Sequence, residues 1–127
     1  MILTTCTARK SDAPGRIPAR ARYRGARVEA AAALARARGR PLVFLSGVYG
    51  VLPASAPIPW YDHALQPGEV AAMTPTVARQ LTDQGIARVL ALMCPPDWPG
   101  WAPYHRLLGG ACAAAGVALE VAWTDRR

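Results

Sequence analysis

Several side chains that can bind an anion or take part in catalysis follow directly after apolar runs of this chain. The run MILTT leads into Cys6 and then Lys10, the only lysine, while PLVFL leads into Ser46 and Tyr49. Lysine supplies a compact point charge for a phosphate group. Tyrosine supplies an aromatic ring together with a hydroxyl group. These residue types in this order predict a ligand-binding site to which several loops contribute.

The segment from Leu45 to Leu65, LSGVYGVLPASAPIPWYDHAL, begins like the end of a buried strand and does not continue as a helix. A connection of about 20 residues without regular structure is uncommon in a compact domain unless it has a function. Gly47 and Gly50 can adopt a positive φ and let a ligand approach the backbone, where successive N–H groups form an anion-binding nest. A P-loop is excluded, because no Gly-Lys-Ser/Thr follows and Pro53 prevents an immediate helix. A plain turn, in which Tyr49 only packs, is the alternative.

The second half of this segment places Trp60, Tyr61, Asp62 and His63 next to one another behind two prolines. The prolines stiffen the backbone, which suits the stacking of a base on the rings and the presentation of an acid and an imidazole. Asp62 is therefore one candidate catalytic group, and Cys6, at the end of the first predicted strand, is the other. As single residues, however, Asp62 and His63 are more often polar surface groups than catalysts.

The positive charge of the chain is concentrated near its start. Residues 1 to 40 contain ten basic side chains and only two acidic ones, which gives +8, whereas the other 87 residues sum to −1. Such asymmetry predicts an anionic partner, with nucleic acid or a phosphorylated small molecule as the usual candidate. The alternative is a GC-rich coding sequence, because 14 of the 15 basic residues are arginine and alanine is abundant.

The order of apolar runs and helical segments predicts the fold. Four short, nearly continuous apolar runs are typical of strands covered on both faces; they are MILTTC, PLVFLS, RVLALMC and VALEVAW. Three segments between them predict helices, with caps, prolines and glycines at the ends; they are Ala19–Arg38, Pro75–Gln84 with Thr74 as the cap, and Ala102–Ala115. This alternation predicts a small doubly wound α/β domain with a mostly parallel sheet of about four strands and helices on both faces.

A parallel sheet would bring the chemically active residues to one edge. Ligands of open α/β sheets bind beyond the carboxyl ends of the strands. Cys6, Ser46 and Cys94 each end a predicted strand, so we expect them at the same edge of one sheet. Lys10 and Tyr49 follow shortly after two of these strands and should join them there.

Composition limits the class of protein. The length of 127 residues and the 52% hydrophobic content predict one globular domain, residues 1–127, with a sizeable core. A membrane span over the uncharged run from Pro41 to Tyr61 is rejected, because Pro53, Pro57 and Pro59 would leave carbonyl groups unpaired in lipid. The amino-terminal sequence lacks the order of a secretory signal, which predicts a cytoplasmic protein. The three cysteines form no CxxC pair, so no disulfide framework, metal site or cofactor is predicted.

Three separated motifs resemble the YaaA-type peroxide-stress superfamily, and specifically its smaller bacterial and phage α/β relatives. The motifs are TTCTARK, where a strand ends in Cys and a Lys follows; IPARARYRGARVEAA, where a Pro-Ala and Tyr segment leads into a helix; and the segment from Leu45 to Leu65. The resemblance implies an α/β core with a basic cleft, and the YaaA-type proteins are associated with DNA binding and with limiting oxidative DNA damage. The residues that match by position are Cys6, Lys10, Arg22, Tyr23, Ser46, Tyr49, Gly50, Tyr61 and Asp62.

Two functions from different classes are compatible with these observations. The first is a pocket for a nucleotide, nucleoside or modified base, with Lys10 and Arg22 on the phosphate, aromatic rings on the base, and Cys6 or Asp62 nearest the chemistry. Whether a reaction is catalysed stays open, because no nucleophile and base stand at a fixed spacing. The candidate ligand-binding residues are Lys10, Arg22, Tyr23, Ser46, Gly47, Tyr49, Gly50, Trp60 and Tyr61.

The second function is a non-catalytic DNA- or RNA-binding module that uses the arginine-rich first helix. At about 100° per residue, Arg20, Arg24, Arg27 and Arg38 fall within about 60° of one another, a stripe that could track a phosphate backbone. A solvated helix face is the alternative. A metal or iron–sulfur site built from the three cysteines is a weaker idea, because Cys112 falls in the middle of a predicted helix.

Overall fold

A five-stranded sheet lies at the centre of the computed structural model, which describes residues 1–127. Its strands, in spatial order, are β4 (Gly50–Pro53), β3 (Leu42–Ser46), β1 (Ile2–Thr5), β6 (Arg88–Met93) and β7 (Ala118–Trp123). Neighbouring strands are parallel, except that β4 is antiparallel to β3. Two short strands outside this sheet, β2 (Ile17–Pro18) and β5 (Pro57–Ile58), pair with each other.

The α/β class and the four predicted strands are confirmed, but the sheet has five strands rather than about four. The additional strand, β4, comes from the segment that was expected to be irregular. The chain reverses direction between Ser46 and Gly50, which pair with each other, and Gly50 adopts the left-handed φ of 72° that this tight reversal needs. The prediction of a long structureless connection is therefore wrong for residues 50–53.

The first predicted helix is divided into two. Helix α1 (Ala19–Arg22) ends where Tyr23 becomes extended, with φ of −79° and ψ of 130°. Helix α2 (Ala26–Arg38) begins after Gly25, whose φ of 132° is accessible to glycine and rarely to other residues. The prediction of one helix over residues 19–38 is therefore wrong, because this break changes the direction in which the side chains before and after it point.

The bounds of the other two helices agree with the predicted bounds to different degrees. Helix α4 (Ala102–Ala115) ends as predicted, at Gly116 in the left-handed conformation. Helix α3 (Val70–Asp83) begins earlier than predicted, after a single 3₁₀ turn, Pro67–Glu69, so that Pro75 lies inside it. Thr74 is not its cap, because its hydroxyl donates to the Val70 carbonyl within the helix. None of the helices is both long and apolar enough to cross a bilayer.

The helices cover both faces of the sheet. Helices α3 and α4 pack on the face that carries Leu3 and Leu45, and helix α2 packs on the face that carries Ile2 and Phe44. Adjacent residues of one strand thus enter different parts of the core. Because both faces are covered, the inner strands contain apolar residues at nearly every position, which is why the sequence revealed them.

Candidate functional site

Three parallel strands end together at one edge of the sheet. In the register of the sheet Thr5 pairs with Leu45 on β3, and Thr4 pairs with Leu92 on β6. Ser46 ends β3, and Cys6 and Cys94 directly follow β1 and β6, so the three residues lie at the same edge, as predicted. We call the side chains gathered at the part of this edge beside β1 and β3 the carboxyl-edge cluster; its members are Cys6, Lys10, Tyr23, Ser46, Tyr49, Tyr61 and Tyr104.

A chain of three hydroxyl groups runs through the cluster. Ser46 Oγ accepts the backbone N–H groups of Val48 and Tyr49 at 3.0 and 3.1 Å. Because these two bonds occupy its lone pairs, the Ser46 hydroxyl donates to Tyr61 Oη, 2.8 Å away. The proton of Tyr61 then points to Tyr23 Oη at 2.5 Å. Ser46 thus fixes the direction of the whole chain.

The two tyrosines in this series of hydroxyl groups, Tyr23 and Tyr61, stay protonated at neutral pH. Burial raises the pKa of Tyr23 to about 12. Burial, followed by the nearby Cys6 and Tyr23, also raises the pKa of Tyr61 far above its ordinary value. Their hydroxyl groups therefore act as hydrogen-bond donors and acceptors and not as bases at neutral pH.

Lys10 places the only lysine ammonium group of the protein against these rings. Its Nζ lies 4.7 Å from the ring centroid of Tyr61 and 6.0 Å from that of Tyr23. It donates one hydrogen bond, to the Thr7 carbonyl. Partial burial lowers the pKa of Lys10, while Cys6 and Asp62 act in the opposite direction. An ammonium group has three donors, so two of them remain for an anion that approaches from solvent.

The Cys6 thiol is held by a tyrosine that the sequence analysis did not identify. Cys6 Sγ lies 3.3 Å from Tyr104 Oη, and that oxygen also accepts the backbone N–H of Leu65 at 3.0 Å. Tyr104 belongs to the first turn of α4, and burial followed by Cys6 raises its pKa. A signal was present in the sequence: a helix that follows a parallel strand starts at the carboxyl edge of the sheet, so its first turn faces the same site.

Gly47 and Gly50 serve the fold and not the approach of a ligand. A methyl group on Gly47 would come within 2.8 Å of the Leu65 backbone nitrogen, so the chain itself occupies that space. The space beside Gly50 is filled by Gln80, whose side chain accepts the Val51 N–H and donates to the Tyr49 carbonyl. The interpretation of these glycines as openings for a ligand is therefore corrected.

Arg22 is enclosed by the protein. Its side chain is 0% exposed, and its terminal nitrogens donate to four backbone carbonyls, those of Ser11, Ala13, Gly15 and Ile58. The bonds tie the loop before β2 to strand β5. The interpretation of Arg22 as a phosphate ligand is corrected, because none of its surface is open to solvent.

The proposed arginine stripe does not form. Arg27 is 2% exposed, donates to Thr4 Oγ1 and to the Thr5 carbonyl, and lies 4.7 Å from the Trp101 ring centroid. Arg20 is paired with Glu29 at 2.9 Å, and Arg24 is exposed. The break between α1 and α2 separates these residues, so the angular argument for one continuous helix does not hold.

The remaining candidates are exposed or half-buried. Trp60 is 56% exposed and Asp62 is also exposed. Tyr49 is half-buried, with its ring edge-on to Tyr61 at a centroid distance of 5.4 Å. His63 is exposed and paired with Glu69, at 2.8 Å.

Two cavities of the molecule lie away from this cluster. One, of about 560 Å³, is at the amino ends of the strands, and the other, of about 510 Å³, lies beside α2. Neither is lined by a member of the carboxyl-edge cluster. Beside the cluster, the chain around Leu65 folds back against Gly47 and Tyr104.

Comparison of the chain with protein-family models, with curated proteins and with solved structures found no match. The resemblance of residues 1 to 65 to the YaaA-type superfamily therefore stays a prediction. What can be concluded about function depends on the geometry of the carboxyl-edge cluster.

Proposed function

We propose that the carboxyl edge binds a nucleotide or nucleoside, with Lys10 at the phosphate and the rings of Tyr49 and Trp60 at the base. One observation carries the proposal: the only lysine of the chain is half-buried over a tyrosine ring, beside the thiol, with two of its donors unused. Such an ammonium group is a localised positive charge at the place where doubly wound folds receive their ligands.

The aromatic side chains support a flat ligand. Trp60 presents an exposed ring on the same loop as Tyr61, over which Lys10 lies. Stacking of a base on such a ring contributes about 1–3 kcal/mol and tolerates any base. A phosphate on Lys10 and a base on Trp60 or Tyr49 would use both features together.

Cys6 and Asp62 remain the candidates for groups that act on a bound base or nucleotide. Cys6 is partly exposed beside Lys10, and Asp62 is close enough to oppose the lowering of the Lys10 pKa. The alternative, a nucleic-acid-binding module built on Arg20, Arg24 and Arg27, is less well supported, because Arg27 is buried and Arg20 is paired.

The experiment is calorimetric titration of the protein with adenosine monophosphate. We expect Lys10→Ala to weaken binding about tenfold or more, since a hydrogen bond to a charged group contributes about 1.5–3 kcal/mol, and to change the Tm little. Arg9→Ala is the matched control, because Arg9 is an exposed cation next to Lys10 in the chain. Trp60→Ala should weaken binding of the nucleotide and of adenosine alike.

The proposal is wrong if Lys10→Ala and Arg9→Ala bind the nucleotide equally well. It is also wrong if neither a nucleotide nor a nucleoside binds the unmodified protein.

A further inference from the structure

The end of the sheet opposite the carboxyl-edge cluster contains a cavity of about 560 Å³. Ile2, Val89, Leu90 and Leu119 contribute apolar side chains to its lining. Three arginines line it as well: Arg38 at the end of α2, Arg40 just beyond that helix, and Arg88 at the start of β6.

The three guanidinium groups have no partner in the protein. The ion pairs of the structure are Arg20 with Glu29 and His63 with Glu69, and Arg38, Arg40 and Arg88 take part in neither. Their side chains also donate no hydrogen bond to a backbone or side-chain acceptor and are exposed. Glu120 is the only acidic residue in the lining. Like charges that converge in this way repel each other, and a bound anion would remove that repulsion.

Stabilisation of a helix end accounts for only one of these residues. A cation in the last turn of a helix interacts favourably with the helix dipole, which explains Arg38. Arg40 lies beyond the helix and Arg88 lies on a strand. Their presence around the same cavity therefore needs another explanation.

We propose that this amino-edge cavity binds a phosphorylated small molecule whose body is not aromatic. Guanidinium groups match the geometry of phosphate oxygens, and three of them favour a ligand with at least two negative charges. No aromatic side chain lines the cavity, so a base would find no ring on which to stack. Its aliphatic lining instead accepts an alkyl or sugar body. The site is separate from the nucleotide site proposed for the carboxyl edge.

The probes for this site are inorganic pyrophosphate and ribose 5-phosphate, titrated by calorimetry at low salt. Arg38→Gln, Arg40→Gln and Arg88→Gln should each weaken binding about tenfold or more, because each removes charged hydrogen bonds to the phosphate. Arg36→Gln is the matched control: it removes the same charge from the same last turn of α2, but Arg36 does not line this cavity. It should change affinity by no more than about twofold.

Lys10→Ala distinguishes the two proposed sites. It should leave the affinity for pyrophosphate unchanged, even if it abolishes nucleotide binding. If Arg36→Gln and Arg40→Gln lose equal affinity for the probes, binding depends only on the general positive charge, and the proposal is overturned. The proposal is also overturned if neither pyrophosphate nor ribose 5-phosphate binds. It is overturned as well if Lys10→Ala loses pyrophosphate binding while the three arginine variants retain it in full.

Discussion

Two arginine side chains are enclosed by the protein. Their guanidinium groups donate hydrogen bonds to backbone or hydroxyl oxygens instead of to water. Arg22 is surrounded by carbonyl groups from the loop before β2 and from β5, and Arg27 by oxygens at the end of β1. The Nε atom of each has no partner. A buried cation is tolerated only where such oxygens are fixed in place, so these residues define the shape of the loops around the carboxyl edge.

Replacement of Arg22 by methionine tests its structural role. Arg22→Met should lower the free energy of unfolding by about 2–4 kcal/mol, because four buried or partly buried carbonyl groups lose a donor. Urea unfolding measures this loss. Arg16→Met, at an exposed position of the same loop, should stay within about 0.5 kcal/mol of the parent. A comparable loss in both variants would show that the enclosure of Arg22 is not what stabilises the loop.

The tyrosine hydroxyls predict a loss of stability at alkaline pH. The pKa of Tyr23 is raised from 10.0 to about 12 on folding, so the unfolded chain releases its proton first. Stability is therefore complete below pH 10 and is lost as the pH rises towards 12, by about 2–3 kcal/mol for this residue. Urea unfolding between pH 9 and 11 should show a shallower decline in Tyr23→Phe than in the parent. The half-buried Tyr49 provides the control, and equal slopes in Tyr23→Phe and Tyr49→Phe would contradict this assignment.

At the level of elements, the segment from Leu45 to Leu65 is organised by contacts with the rest of the chain. Its first part forms β4 beside β3, its middle forms β5 beside β2, and its end returns to Gly47 and Tyr104. The side chain of Tyr61 is thereby carried to the carboxyl edge, where it contacts Ser46, and Trp60 is exposed on the same loop. Each of these three parts of the segment is therefore held by contacts with another part of the chain.

Gly47→Ala should disturb this segment at one point. The added methyl group would meet the Leu65 backbone at 2.8 Å, so the chain must move away and weaken the bond between Leu65 and Tyr104. We expect a loss of about 1–3 kcal/mol in unfolding free energy. Hydrogen exchange of the Leu65 amide should become faster. Gly109→Ala, which adds its methyl group to open space on α4, should be neutral or stabilising, and an equal loss there would contradict the steric argument.

In the molecule as a whole, positive charges outnumber negative charges. The chain carries a formal charge of +7, and only two ion pairs form. Both pairs are exposed and contribute little to stability. Repulsion among the unpaired arginines therefore outweighs attraction at low ionic strength.

Salt should consequently stabilise the unliganded protein. Screening of the repulsion is expected to raise the Tm by about 1–3 °C between 10 and 150 mM sodium chloride. Thermal unfolding followed by circular dichroism measures this shift. Arg40→Gln should reduce the dependence of the Tm on salt, because it removes one of the three arginines that line the amino-edge cavity. A Tm that falls as salt is added would mean that the exposed ion pairs dominate instead.

The parallel strands, helix α4 and the meeting of Cys6, Ser46 and Cys94 at one edge can be predicted from the sequence. Strands covered on both faces are apolar at nearly every position, so β3 and β6 appear as almost continuous apolar runs, and β1 as a shorter run that ends in two buried threonines. Once such strands are parallel, the residues that follow them share an edge whatever the loops do. These properties depend on local pattern and on a general rule of topology, and both can be read from one chain.

Which of the candidate side chains face solvent could not be predicted, because it depends on contacts between distant parts of the chain. Arg22 and Lys10 are both cations in the first part of the chain, yet Arg22 is enclosed between the loop before β2 and the Ile58 carbonyl, 36 residues away, whereas Lys10 keeps free donors. The same holds for Gly47, whose neighbour Leu65 is distant in sequence, and for Tyr104, which meets Cys6 across 98 residues. Burial of a side chain depends on which remote groups pack against it, and no local pattern of residues specifies those groups.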